Sequence, residues 1–349
     1  MSRSDLPKRP RRPRSVTVDA CAKLNLGLAV GPRRADGFHE VVTVLQSISL
    51  ADTLTAERTA RGFSLQLRHE HVALRGRPPR DMRTSVTRGP DNLVLRAARL
   101  VARELALPGG ARFTLVKRIP AQAGMGGGSA DAAAAIAAML ALHGRRLSRS
   151  VRQRIASRLG SDVAFALTGG TALGTGRGEL LTPLRLTSPF RALVAMPSWR
   201  ISTARAFSCH DKDRKGLTHW KHDRRFATTV GRQRVEASAL IRRGNRFEEL
   251  LGRRRQDFVA LCARLRATGM LGPRLTGSGS AVFAMLPRGA RVREFASRFA
   301  GDEPLYEVRS TGRGLRLRIH ASATKPRKGD RAGAPPRSGV LRRRRTRAS

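Results

Sequence analysis

The chain opens its regular pattern at Val16-Thr17-Val18, which begins a strand. Beyond it, Lys23 and Asn25 alternate with Ala22, Leu24 and Leu26, a period of two that puts both polar side chains on one face. After the tight-turn signal Asp36-Gly37, Val41 to Leu50 reads as a second strand. Asp91-Asn92-Leu93-Val94 opens a helix through Leu105, with Asp91 or Asn92 as its cap. Arg112 to Ile119 alternates again through Phe113 and Leu115, so a strand leads into the loop Ile119 to Asp131. Ala132 to Leu142 is a run of strong helix formers with Gly144 as its stop, and Ser129 is a good residue to cap it.

A further helix is expected over Ser150 to Arg158, followed by Leu159-Gly160-Ser161-Asp162-Val163 and the turn Gly174 to Glu179. Around Pro183 to Ser188 the chain is expected to cross into a second domain. Phe190 to Met196 reads as a strand there, and Gly244 to Glu248 starts a helix. Residues 256–268 form another, with Phe258, Val259, Leu261, Cys262 and Leu265 apolar. Pro273 to Met285 reads strand, glycine turn, strand, and Tyr306 to Ser310 with Leu315 to His320 reads as a closing strand pair. The expected division is a basic, disordered tail at 1–15, domains at 16–185 and 186–320, and a second such tail at 321–349. The basic loop 72–90 and the charged excursion 210–235 carry no chemistry that the sequence names.

Composition narrows the picture. At 349 residues the chain is long enough for two domains, and its hydrophobic share of 40% is ample for a core. Aromatics make up only 4%, so that core must be mostly Ala, Leu and Val. Three cysteines without paired spacing argue against a disulfide framework or a zinc site. No apolar run approaches membrane-spanning length and no apolar stretch follows the N-terminal arginines, so the cytoplasm is expected. The net charge of +44 is unusual. Residues 2–15 set six Lys/Arg against Asp5, and residues 322–349 set ten against Asp330. Such a field attracts polyanions, including nucleic acid. No zinc knuckle, helix-turn-helix or aromatic RNA-binding motif accompanies it, so a nucleic-acid partner is kept as an alternative and not favoured.

The chemistry gathers in the loop Pro120-Ala121-Gln122-Ala123-Gly124-Met125-Gly126-Gly127-Gly128-Ser129-Ala130. Glycines let a backbone approach a ligand closely, and a helix start offers unpaired N–H groups at a positive dipole end. Together they seat a phosphate. No Gly-Lys-Ser/Thr follows, so this is not a Walker A loop, nor is it a clean Rossmann fingerprint. Read without context, a glycine cluster before a helix also serves as a flexible turn, Asp162 after Gly-Ser as a cap, and His39 as a structural histidine.

In Pro-x-x-x-Gly-Met-Gly-Gly-Gly-Ser-Ala the chain resembles the GHMP kinases, and its Gly-Gly-Gly-Ser-Ala-Asp-Ala-Ala form is similar to that of their diphosphocytidyl-methylerythritol kinase branch. Ala22-Lys23-Leu24-Asn25-Leu26 and Arg34-Ala35-Asp36-Gly37-Phe38-His39-Glu40 resemble that branch's N-terminal signature, with Phe38 in place of Tyr. The resemblance spans roughly residues 16–320 and implies an α+β, two-domain fold: a ribosomal S5 domain 2-like part, then a ferredoxin-like part. It implies transfer of the ATP γ-phosphoryl group to the 2-hydroxyl of 4-diphosphocytidyl-2-C-methyl-D-erythritol, with Mg²⁺. Lys23 and Asp162 would be catalytic, with Ala164 where the family commonly has Pro. Residues 120–130 would hold ATP, and Asn25, Phe38, His39 and Thr203 the substrate. Gly277-Ser278-Gly279 would be the third family motif, bringing its backbone close to the first loop. The Mg²⁺ ligand stays open, Ser129 being one candidate, and so does the choice between monomer and homodimer. Alternatives are another GHMP small-molecule kinase of the homoserine or mevalonate type, or a basic nucleic-acid-binding protein on a kinase scaffold.

Overall fold

A computed structural model describes residues 13–76, 86–213, 220, 224–228, 230 and 234–320. Both terminal segments therefore lie outside the described residues, as do parts of the basic loop and of the charged excursion. The chain runs β1 (Ser15–Arg33), β2 (His39–Thr59), β3 (Phe63–His69), α1 (Leu93–Glu104), β4 (Gly110–Lys117), α2 (Gly127–His143), α3 (Arg149–Leu159) and α4 (Ser161–Thr168). It continues through β5 (Thr171–Thr175), β6 (Leu180–Leu186), β7 (Arg191–Ala195), α5 (Thr203–Lys212) and β8 (Arg234–Val235). After the helix Arg255–Ala267 come β9 (Leu271–Leu275), β10 (Val282–Met285), β11 (Leu305–Arg309) and β12 (Leu315–His320).

Two sheets organise these elements. The larger has the order β12-β1-β2-β5-β6-β8, with β4 on β2 and β3 on β4. One strand can serve three neighbours because β2 is 21 residues long: Thr43–Gln46 pair with β5, Thr53–Thr59 with β4, and β1 runs along its other edge. The smaller sheet has the order β11-β7-β10-β9, antiparallel throughout.

The strand pair expected at the end of the chain does not form. β11 pairs with β7 in the second sheet, while β12 returns to the first and pairs with β1, Ser15 opposite His320. Local alternation predicts a strand but carries no information about its partner, and here the partner lies 300 residues back. The helix expected at Gly244 to Glu248 is a 3₁₀ turn, Arg246–Leu250, capped by the Asn245 side chain.

The core follows from composition. Val16, Val18, Ala20, Leu24 and Leu54 face inward with Phe113 and Leu115 against α1 and α2. In α2 the run Ala132 to Ala135 is buried with Ile136, Ala138, Met139 and Leu142. A helix apolar all round belongs inside, and its alanines let the sheet approach closely. Ser129 does not cap it. The helix starts earlier, at Gly127, with Gly126 as N-cap in the left-handed region (φ 71°) and no side-chain hydrogen bond. The glycines themselves make the turn into the helix, so a hydroxyl cap is not needed there. Gly144 is the C-cap as expected, also left-handed (φ 58°). For α1, Asn92 is the cap, accepting from Val94 N. No helix among the described residues is long and apolar enough to cross a membrane.

Phe113 is fully buried beneath α1 and α2. Phe113→Ala is expected to lower the unfolding free energy by about 3–5 kcal/mol, lost transfer energy plus a cavity. Urea denaturation checks this, and an unmoved midpoint at unchanged slope would contradict the packing described.

Candidate active site

Three segments far apart in sequence meet at Asn25. Its Oδ1 accepts from Lys23 Nζ (2.6 Å) and from the Gly277 backbone N–H (2.8 Å). Its own N–H donates to Thr276 Oγ1 (3.1 Å), and its Nδ2 donates to Thr43 Oγ1 (2.8 Å). The glycine loop joins through backbone bonds: Lys23 N–H donates to Met125 O (3.0 Å) and Ala281 N–H to Ala123 O (3.2 Å). Asn245 holds the third turn from behind, its Nδ2 donating to Leu275 O (2.9 Å) and Gly277 O (2.8 Å).

Close packing explains two glycines. At Gly124 (φ +77°) a Cβ would overlap Thr276 O, so only glycine lets the first loop and the third turn touch. At Gly126 (φ +71°) a Cβ would stand 3.1 Å from Lys23 Cγ and 3.5 Å from Asp162 Oδ2, in the space between the two charged residues and the loop.

Lys23, only 6% exposed, has its Nζ 3.5 Å from Asp162 Oδ2. Asp162 lies in the first turn of α4, whose N-cap is Gly160, and makes no cap bond itself. Its side chain is about one-third open to solvent, so an acceptor hydroxyl can reach it.

Two cavities share this loop. One, of about 360 Å³, is lined by Asn92, Lys117, the loop from Pro120 to Ser129, and Asp131. The other, of about 810 Å³, is lined by Lys23, Asp162, Phe38, Thr203, Gly277 and Arg177 among others. Gly124, Gly126 and Ser129 line both, so the loop stands between a nucleotide-sized cleft and a second ligand-sized one.

Thr203 Oγ1 is 2.7 Å from Ser278 Oγ, joining two residues singled out separately in the sequence. Phe38 is half open (52%), with the Arg177 guanidinium 4.6 Å above its ring. His39 also lines the larger cavity. Its imidazole is buried, with Nε2 2.6 Å from Asp211 Oδ1 and its ring stacked on Phe207 at 5.0 Å. The bond from His39, foremost, holds the Asp211 carboxyl below its ordinary value. Sequence reasoning missed Phe207, Asp211 and Arg177, because each meets its partner through a long-range contact.

It also missed a buried charge cluster under the loop. Lys117 forms ion pairs with Asp52 and with Asp131 (2.7 Å). Burial opposes the Lys117 charge, but Asp131 and Asp52 outweigh it and hold the ammonium above its usual range. Burial, foremost, and the Asp52 charge raise the Asp131 carboxyl against the pull of Lys117. Asp131 Oδ1 has no hydrogen-bond partner among the described residues.

Comparison with known proteins adds independent findings. A family model described as the GHMP kinases N terminal domain matches residues 92–170. The 4-diphosphocytidyl-2-C-methyl-D-erythritol kinase of Moorella thermoacetica is 36% identical over 289 residues, 83% of this chain and 96% of that protein. The enzyme of the same name from Thermobifida fusca is 36% identical over 287 residues, 82% and 91% of the two chains. A crystal structure of 4-(cytidine 5'-diphospho)-2C-methyl-D-erythritol kinase superposes with a TM-score of 0.62 at 31% identity, over 85% of this chain and 99% of the other. Homoserine kinase from Cytophaga hutchinsonii superposes with a TM-score of 0.64 at 16% identity, over 90% and 100%, a likeness of fold alone.

Glu248 supports the third turn by accepting from Leu275 N–H (2.8 Å), and burial pushes its carboxyl up to about 7. The folded chain therefore holds this proton more tightly than the unfolded one. Its contribution to stability is present below the unfolded value and is lost as pH rises through about 7. Between mildly acidic and mildly basic pH the wild type should lose on the order of 3 kcal/mol relative to Glu248→Gln. Urea melts of both proteins across that range check the sign, and parallel curves would contradict it.

Proposed function

This chain belongs to the 4-diphosphocytidyl-2-C-methyl-D-erythritol kinases of the GHMP kinase superfamily, and we propose that it phosphorylates the 2-hydroxyl of that substrate through Lys23 and Asp162. As a member it is an ATP-dependent kinase of the methylerythritol phosphate route to isoprenoid precursors. The observation that carries the assignment of roles is the 3.5 Å approach of Lys23 Nζ to Asp162 Oδ2, where the two cavities meet at the glycine loop.

A tertiary hydroxyl is a poor nucleophile while it keeps its proton. Asp162 accepts that proton as the hydroxyl oxygen forms its bond to the γ-phosphorus and the bond from that phosphorus to the leaving ADP oxygen breaks. Lys23 offsets negative charge on the phosphoryl oxygens in flight. The amides at the start of α2 and in the loop 120–130 hold the ATP phosphates, as a helix start and bare glycine backbone can.

Ser129 is the side chain we assign to Mg²⁺, because it lines both cavities. Among the described residues no group of three or more His, Cys, Asp and Glu could hold a metal, a donor set that fits an ion carried mainly by phosphates and water. Bound there, the ion would neutralise charge on the phosphates. In the larger cavity, the exposed Phe38 ring, His39, Phe207 and Thr203 are assigned to the cytidine end of the substrate. A ring suffices for stacking on a base, so Phe in place of Tyr keeps that role.

A coupled ADP-release assay tests the substrate. Turnover is expected with the cytidylylated compound and not with unmodified methylerythritol phosphate, homoserine or mevalonate, and the reverse preference would overturn the reading. Asp162→Asn should lower kcat by roughly 10²–10⁴-fold with ATP affinity kept. Near-full turnover in that variant would remove Asp162 from the mechanism.

A further inference from the structure

A large open groove lies away from this site. Its volume is about 1060 Å³, and it runs between β1, β2 and β12 of the first sheet and β11 of the second. It shares no lining residue with either cavity of the kinase site. The helix α2 packs on the face of β1 where Val16, Val18 and Ala20 are buried. The alternate residues Asp19 and Cys21 therefore face the groove, with Ala51 and Thr53 beside them.

Charge sets what this face can hold. Each carboxylate around it is already paired with an arginine: Asp19 with Arg318 (3.0 Å), Glu307 with Arg191 (2.8 Å) and Glu70 with Arg118 (2.7 Å). Arg313 and Arg316, also in the groove, are exposed and make no ion pair among the described residues. The face is thus left with excess positive charge and no acid to neutralise it.

The ends of the fold add to this. Ser15 pairs with His320, so β1 begins where β12 ends, near Arg316 and Arg318, and stretches of sequence rich in Lys and Arg flank both. Those stretches hold six Lys/Arg against Asp5 in residues 2–15 and ten against Asp330 in residues 322–349.

We propose that this face binds the phosphodiester backbone of nucleic acid, without reading its sequence. Arg313 and Arg316, left without carboxylate partners, supply the guanidiniums for the phosphates, while Arg318, two residues from Arg316 on the same face of β12, is held by Asp19. The groove's one aromatic, Tyr306, is buried, so no exposed ring is available to stack on bases. Contacts limited to phosphates make affinity depend on salt and not on sequence.

The test is fluorescence anisotropy with a labelled oligouridylate of about twenty nucleotides, using the full chain across a range of salt. Arg313→Gln with Arg316→Gln should reduce the slope of log affinity against log salt by about 1.4, which is about 25-fold over one decade of salt. Kinase turnover should be unchanged, which also reports that the variant is folded. If the pair does not fold, each single substitution should reduce the slope by about 0.7. Arg288→Gln with Arg293→Gln removes equal charge from exposed positions elsewhere and should leave the slope as it was. The proposal is overturned if the intact chain shows no salt-dependent binding, if the groove variant binds like the wild type, or if the control pair lowers the slope equally.

Discussion

The amide of Asn25 is where the site is tied together. It is buried, and a buried polar group must find partners or forfeit its hydration. Its partners come from its own strand at Lys23, from β2 at Thr43, and from a turn some 250 residues later at Thr276 and Gly277. Satisfying one side chain therefore fixes the third turn on β1. Asn245 closes the arrangement by holding the two carbonyls behind that turn. Lys23, donating to the same Asn25 oxygen, has little freedom left, and its ammonium is directed to Asp162. Such a network is worth more than its separate bonds, because each member orients the next.

The glycine loop is the second constraint, and it works by lacking side chains. Gly124 admits the Thr276 carbonyl and Gly126 leaves room beside Lys23 and Asp162. Gly124, Gly126 and Ser129 line both cavities. Beneath the loop, Lys117 is clasped by two buried carboxylates from β2 and α2, so the strand before the loop, the helix after it and the long central strand are pinned at one point. A loop that must carry phosphates gains from a floor of this kind, since amides fixed in advance need no reorganisation when charge develops.

Much of this was legible in the chain. The alternation around Lys23 and Asn25, the glycine loop, and the Gly-Ser-Gly turn all carry local signals, and the structure brings those segments together. Their chemical roles are a separate matter and stand as assignments. Less was legible wherever the outcome depended on distant contacts. Ser129 looked like a helix cap because serine before an alanine run usually is one, yet the left-handed Gly126 starts the helix first. The closing strands looked like neighbours because they are adjacent in sequence, but each has a better edge to complete in a different sheet. His39 lines the larger cavity, and the Asp211 and Phe207 that hold its ring come from an element that no local pattern ties to it. Nothing local marks Asp52 or Asp131 as a pair; only the fold places Lys117 between them.

The central claim is that Lys23 and Asp162 act as one unit on the proton and the phosphoryl group. A double-mutant cycle on the single-turnover rate of phosphoryl transfer, with Lys23→Met and Asp162→Asn alone and together, addresses it most directly. If they act together, the double variant should be only slightly slower than Asp162→Asn alone. Losses that simply multiply would show two independent contributions and contradict the account.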